Sequence, residues 1–281
     1  MPSAPRFVVV NLDGTVARQP RLLSFPHQWL DFSGTPGTWC CAAPEALAAL
    51  EAALARYREV PLVFWGAGEY HYVTYARLRT LRVPLTLVLF DRHHDCDPGG
   101  DGLVTCGNWV RHALALPWVQ RVLWIGGPEG EGLPGGGGGG RSPGDGTAGD
   151  REHPAHPRLW RVSHRRPPEP LDRWLDQAVP TPFVYLSVDK DVLHPADAVT
   201  TWGSGELRLQ DLLAWVTGLL RARRVVGVDV GGEWALPPGR ILPTPADLKA
   251  IGTNEAANLA LLAALENLSG FQHQASRQTG A

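Results

Sequence analysis

The chain has 281 residues, 44% of them hydrophobic, which suits one sizeable core, since α/β domains of about 250 residues commonly form a single unit. Lys and Arg total 26 against 28 Asp and Glu, a formal net charge of -2, so neither a basic nucleic-acid footprint nor an acidic tail is present. Met1–Arg6 carries no basic stretch followed by an apolar run, and no apolar run reaches the roughly 18 residues of a membrane span. The expectation is a cytoplasmic protein with a small-molecule or peptide substrate and no nucleic-acid or membrane partner. Oligomeric state is left open.

Short apolar runs rich in β-branched and aromatic residues predict strands at Phe7–Leu12, Val60–Trp65, Pro84–Phe90, Val122–Ile125, Leu159–Val162, Phe183–Val188 and Val225–Val230. Helical segments are expected between them at Pro44–Tyr57, Tyr72–Leu81, Trp109–Leu116 and Leu209–Arg221, and after them at Pro245–Leu268, with Pro44 and Pro245 suited to first-turn positions. Continuous apolar strands alternating with helices indicate a sheet buried on both faces. The predicted class is therefore a three-layer α/β/α fold with a mostly parallel sheet, one domain over 1–281. A glycine-rich insertion, expected to be disordered, interrupts it at 127–157 and includes Gly135–Gly140. No G-x-x-x-x-G-K-[ST] pattern accompanies those glycines, so they are not read as a phosphate loop. The cysteines Cys40, Cys41, Cys96 and Cys106 lack the C-x-x-C spacing of a zinc ribbon or redox site and are read as reduced thiols.

Chemistry concentrates where three strands end. Leu87–Phe90 runs into Asp91-Arg92-His93-His94-Asp95, and Phe183–Val188 runs into Asp189-Lys190-Asp191. Leu62–Trp65 leads through Gly66 and Gly68 to His71. Carboxyl ends of strands are where open α/β sheets place ligands, and alternate residues of an extended segment project to one side. A lone Asp at such a place is ordinarily a turn or cap. Four aspartates together repel one another unless cations or protons neutralise them, so the set implies bound metal or raised pKa values.

These motifs resemble those of the arginase/agmatinase (ureohydrolase) superfamily, as a divergent arginase-like branch. His71 falls on its G-G-D-H motif, Asp91, His93 and Asp95 on D-A-H-A-D, and Asp189 and Asp191 on S-F-D-x-D. The resemblance implies two Mn2+ ions, other divalent metals being chemically possible. One would be held by His71, Asp91, Asp95 and Asp189, the other by Asp91, His93, Asp189 and Asp191, with Asp91 and Asp189 bridging. It also implies hydrolysis of a C–N bond in a guanidino or amidine group with release of urea, Asp95 passing a proton to the departing amine. Two positions depart from the pattern. Val110 stands where the family carries a histidine, leaving His94 and His112 as candidates to replace it. The family's D-x-x-E is one residue longer here, from Asp229 to Glu233, and Glu233 is the candidate to hold the substrate guanidinium.

Asn108, Trp109 and Trp202 lie in stretches that differ from the polar arginase pocket and are the candidate substrate-binding residues. They suggest a peptide arginine or another guanidino compound in place of free arginine. Two alternatives remain at this stage: a deacetylase-like metal-dependent amidohydrolase with a single metal, and a noncatalytic metal-binding arginase homologue.

Overall fold

The strand-forming runs alternate their side chains between two faces, and both faces are apolar. A computed structural model of the chain, which describes residues 4–99, 102–127, 151–162 and 165–266, shows the consequence. In chain order the elements are β1 (Phe7–Asn11), α1 (Pro20–Leu23), β2 (His27–Asp31), β3 (Cys41–Ala42), α2 (Pro44–Ala55), β4 (Leu62–Phe64), α3 (Val73–Arg79), β5 (Leu85–Phe90), β6 (Val104–Thr105), α4 (Trp109–Ala115) and β7 (Val119–Ile125). They continue with β8 (Arg151–His153), β9 (His156–Val162), α5 (Leu171–Ala178), β10 (Phe183–Asp189), α6 (Leu209–Ala222), β11 (Arg224–Gly231) and α7 (Pro245–Glu266). Pro44 and Pro245 do open their helices, where a missing N–H costs nothing.

Nine strands form one sheet in the order β2-β1-β4-β11-β10-β5-β7-β9-β8. Every pairing is parallel except the last, the β8–β9 hairpin. Phe7 and Val9 of β1, Val88 and Phe90 of β5, and Leu186 and Val188 of β10 bury on one face with Trp215 of α6 and Leu261 of α7. Val8 and Val10, Leu87 and Leu89, and Tyr185 bury on the other with Leu50 of α2, Val73 of α3 and Trp109 of α4. Two cores back to back on one sheet give the expected three layers.

Sheet order sets the position of the site. After β4 the chain skips two places to lay down β5, and β10 and β11 later fill the gap. Parallel pairing then brings the carboxyl ends of β4, β11, β10 and β5 to one edge, at the reversal of strand order where α/β sheets open a crevice. Of the expected insertion at 127–157, residues 128–150 lie outside the described residues. The boundary at 157 is corrected: 151–153 pair with β9 as an antiparallel edge strand, and 156–157 already belong to β9.

Candidate metal centre

Three of the four candidate aspartates, Asp91, Asp189 and Asp191, anchor one oxygen on a backbone N–H and turn the other inward. Asp91 Oδ1 accepts the His93 N–H at 2.7 Å, Asp189 Oδ1 accepts the Asp191 N–H at 3.0 Å, and Asp191 Oδ1 accepts the Arg92 N–H at 3.0 Å. A carboxylate bonding the amide two residues on turns the chain sharply, a local habit of Asp. So the D-x-H and D-x-D spacing folds the strand end and aims the second oxygens inward. Asp95, with φ 45°, sits in the left-handed region. Gly232, just past β11 with φ +75°, packs against Asp189, and a Cβ there would lie 2.1 Å from Asp189 Oδ1, so no other residue fits.

The inward atoms form two groups, His71 with Asp91 and Asp189, and Asp91 with His93 and Asp191. In each, the potential ligand atoms lie within 4.8 Å of one another, and Asp91 belongs to both. His71 Nδ1 lies 3.1 Å from Asp91 Oδ2, 3.0 Å from Asp95 Oδ2 and 3.7 Å from Asp189 Oδ2, while His93 Nδ1 lies 2.9 Å from Asp191 Oδ2. Asp91 Oδ2 and Asp191 Oδ2 are nonetheless buried without an aligned hydrogen-bond donor. Stripping water from a carboxylate oxygen without replacing its partner is costly. Buried oxygens without an aligned donor, gathered around imidazole nitrogens, fit a divalent cation, and the all-oxygen-and-imidazole donor set suits manganese among others. The sequence-based expectation that Asp189 joins both groups is narrower in the structure, where Asp91 alone is shared. Asp95 borders the first group through His71.

Charge crowding shows in the protonation of the cluster. Burial, then Asp191 and Asp91, push the Asp189 carboxyl well above its usual range; burial, then Asp91, push Asp191 up to about 6. Asp191 and then Asp91 raise His93 to about 11 against the opposing effect of burial. Burial of the His71 ring opposes its protonation, but Asp91 and Asp95 outweigh it and hold its pKa well above normal. Protons thus occupy the place that cations would take.

Behind His71 lies a chain of donors that the sequence reading missed. His71 Nε2 is 3.0 Å from Ser187 Oγ, and that hydroxyl donates to Asp229 Oδ1 at 2.8 Å. Asp229, fully buried, also accepts from Trp65 Nε1, Thr74 Oγ1 and Tyr185 OH, at 3.0, 3.0 and 2.7 Å. With the Ser187 hydroxyl donating to Asp229, Nε2 carries a proton toward Ser187, and Nδ1 is the nitrogen that would serve as a ligand once a cation replaced its own proton. A signal for Ser187 existed: it lies two residues before Asp189 on β10, on the same side of the strand. Trp65, Thr74 and Tyr185 come from three separate segments and left none.

Several candidate site residues take other places. Glu233 is buried away from the crevice mouth: it pairs with the buried Lys190 ammonium, and accepts from Asn258 Nδ2 and Gln19 Nε2, both at 2.8 Å. With that network closed, Glu233 is not available to a substrate guanidinium. The extra residue before it in Asp229–Glu233 carries it past the site. Trp109 is fully buried, donates to Asp95 Oδ2 at 2.7 Å and lies 4.6 Å from the His71 ring, so it supports a ligand and does not face substrate. Asn108 is also buried, closing its own loop through Thr105 N and Leu103 O. His112 stays on α4 against Tyr75. Trp202 and His94 do line a crevice of about 420 Å³ with the ligand aspartates, Arg92, His93, Asp97, Cys106, Gly107 and Trp124. His94 Nδ1 accepts the Cys96 N–H at 3.0 Å, so its outward Nε2 is a donor and not a base.

Strand ends, crevice and side-chain cluster together define an α/β protein with a candidate metal centre on the carboxyl edge of its sheet. The fold is the arginase-like α/β fold. Solved structures similar to the chain include a hypothetical agmatinase from Burkholderia thailandensis (TM-score 0.59, 17% identity, covering 100% of this chain and 89% of that one). Others are proclavaminate amidino hydrolase from Streptomyces clavuligerus (0.60, 19%, 94% and 93%) and formimidoylglutamase from Bacillus subtilis (0.61, 17%, 94% and 87%). An uncharacterized protein of Thermotoga maritima is 27% identical over 262 residues, 93% of this chain and 90% of that protein. No sequence-family profile matches the chain.

Proposed function

We propose that the protein is a metal-dependent hydrolase of a C–N bond in a guanidino or amidino group. The observation that carries this reading is the pair of candidate ligand groups joined through Asp91, each with a buried carboxylate oxygen that lacks an aligned hydrogen-bond donor. His71, Asp91 and Asp189, bordered by Asp95, would hold one divalent ion and Asp91, His93 and Asp191 the other, manganese being the first candidate. When bound, such a pair of ions lowers the pKa of water and supplies a nucleophile at neutral pH.

The chain's own residues supply the rest. Asp95, fixed by the Trp109 indole at one oxygen and lining the crevice, is placed to hold a proton for the departing nitrogen. The Ser187–Asp229 pair keeps the His71 ring in register. His94 presents Nε2–H as a hydrogen-bond donor beside the aspartates. Its pKa is lowered by burial, so the ring stays neutral. Trp202, 41% exposed, and Trp124 wall the crevice and favour a substrate with bulk beyond the reacting group. Two overlapping ligand groups speak for a dinuclear hydrolase over a single-metal deacetylase.

The sequestration of Glu233 by Lys190 favours, as a second reading, a metal-binding homologue without turnover. Incubating manganese-loaded protein with guanidino, acetyl-lysine and phosphoester compounds tests the set. Urea or the matching amidine hydrolysis product is expected. Acetate release would select the deacetylase, and no release from any compound at a metal content of two per chain would leave the noncatalytic reading.

A further inference from the structure

We infer that Arg92 is a specificity-determining residue that binds a carboxylate on the substrate, so that the protein selects acidic over cationic compounds. The inference rests on the hydrolase reading for what happens next, but the recognition itself is independent of turnover.

Arg92 stands between the ligands Asp91 and His93, where the arginase-like motif D-A-H-A-D carries alanine, and it lines the crevice. Its backbone N–H is spent on Asp191 Oδ1. Its guanidinium reaches outward, with a single long contact of 3.4 Å from Nη1 to the Trp202 carbonyl oxygen. It lies against Gly203, whose φ of +92° and missing side chain make the seat: a Cβ there would be 2.6 Å from Nη1. Among the described residues no carboxylate comes within 4.0 Å of this guanidinium, although ligand aspartates flank it in sequence and share its crevice.

That arrangement is unusual for an arginine, whose fork of donors ordinarily pairs with a carboxylate or stacks. Two divalent ions would offset the four charges of Asp91, Asp95, Asp189 and Asp191 and leave the Arg92 charge uncompensated at the mouth. A substrate carboxylate supplies the missing partner, and a substrate ammonium is repelled there. Glu233, the acidic group that could have greeted a cation, is closed off by Lys190. Asp97, exposed on the crevice wall with His94 Nε2 at 3.7 Å, is, among the described residues that line the crevice, the carboxylate outside the candidate ligand set and would favour the opposite charge.

The test uses 4-guanidinobutyrate and agmatine, which share a guanidino group and a short alkyl chain but end in opposite charges. Affinities of both are measured by titration calorimetry on manganese-loaded wild type, Arg92→Met and Arg92→Lys, with metal content and melting temperature checked for each. A preference for 4-guanidinobutyrate on the order of 10- to 100-fold is expected in the wild type, reduced to a few-fold in Arg92→Met and partly kept in Arg92→Lys. Equal affinities, a preference for agmatine, a preference unchanged in Arg92→Met, or binding of neither compound would overturn the inference. Urea assays on the same samples separate the two claims: a preference in binding without turnover sinks the hydrolase reading and leaves Arg92 standing.

Discussion

Asp91 is the residue on which both ligand groups depend, and it should show in metal content. Asp91→Asn keeps the size of the side chain but weakens both groups, whereas Asp191→Asn touches only the second. After reloading with manganese and desalting, the first variant is expected to hold close to no metal and the second about one ion per chain. Equal losses, read by plasma emission, would refute the shared-ligand arrangement. Ser187→Ala removes the acceptor of His71 Nε2 and frees the ring to turn. It should weaken metal binding by about 10- to 100-fold without unfolding the protein, read by competition with a chelator. The candidate ligands were legible from the sequence because all but His71 sit at period two past an apolar strand, and His71 follows a strand through a glycine-containing turn. Their supports were not: Trp65, Thr74 and Tyr185 meet at Asp229 from different elements, and Glu233, one residue beyond the motif position it was a candidate for, turns its side chain to Lys190. A motif fixes which residue type stands at a position, and a buried counter-charge 43 residues away decides where it points.

Among the elements, α7 has an end that senses acid. Asp247 accepts from Thr244 N and Thr244 Oγ1, Trp234 Nε1 and Arg240 Nη1, and its own N–H donates to Thr244 Oγ1. These bonds, first those to Thr244, hold its carboxyl below the usual range. A folded-state pKa below the unfolded value adds stability that is present above about pH 4 and lost as pH falls through the folded pKa. Asp247→Asn should therefore flatten the acid limb of a stability-versus-pH curve below about pH 4, and Thr244→Ala should cost about 1 kcal/mol at neutral pH. An unchanged acid limb in Asp247→Asn would count against the cap.

The Lys190–Glu233 pair is the costlier joint. Lys190→Met leaves a buried carboxylate without its cation and should destabilise by about 3–5 kcal/mol in urea unfolding, and Lys190→Met with Glu233→Gln should recover much of that. The strands of the sheet centre were readable because both their faces are buried and apolar. The edge strand β2, with half-exposed His27–Asp31, has no such run. Likewise β8 hides at the end of a glycine-rich stretch, and α5 is a helix of eight residues framed by prolines.

At the scale of the whole molecule, metal and stability are linked. Ions that bind the folded cluster relieve its crowded carboxylates and have no preformed site in the unfolded chain, so chelation should lower the melting temperature and manganese restore it with concentration. A melting temperature indifferent to both would speak against a built metal site. No helix among the described residues is long and apolar enough to cross a membrane.

The polar network behind the site has a consequence in time. Lys190 sits between two ligands, and the groups that accept its ammonium are Glu233 and Asn258, which in turn bond Gln19 from the first turns of the chain. During synthesis the strands carrying all six candidate ligands emerge well before α7, yet until Asn258 arrives the Lys190 charge has an incomplete cradle. Segments far apart in the sequence, around Gln19 and Asn258, complete the polar surroundings of the strand end between Asp189 and Asp191. Formation of the centre therefore waits on contacts of very large sequence separation, the slow class in folding. A chain cut before Pro245 would carry every candidate ligand and lack Asn258, and it is expected to hold manganese more weakly than one that includes α7, so a bound ion would report on a segment that supplies none of its ligands.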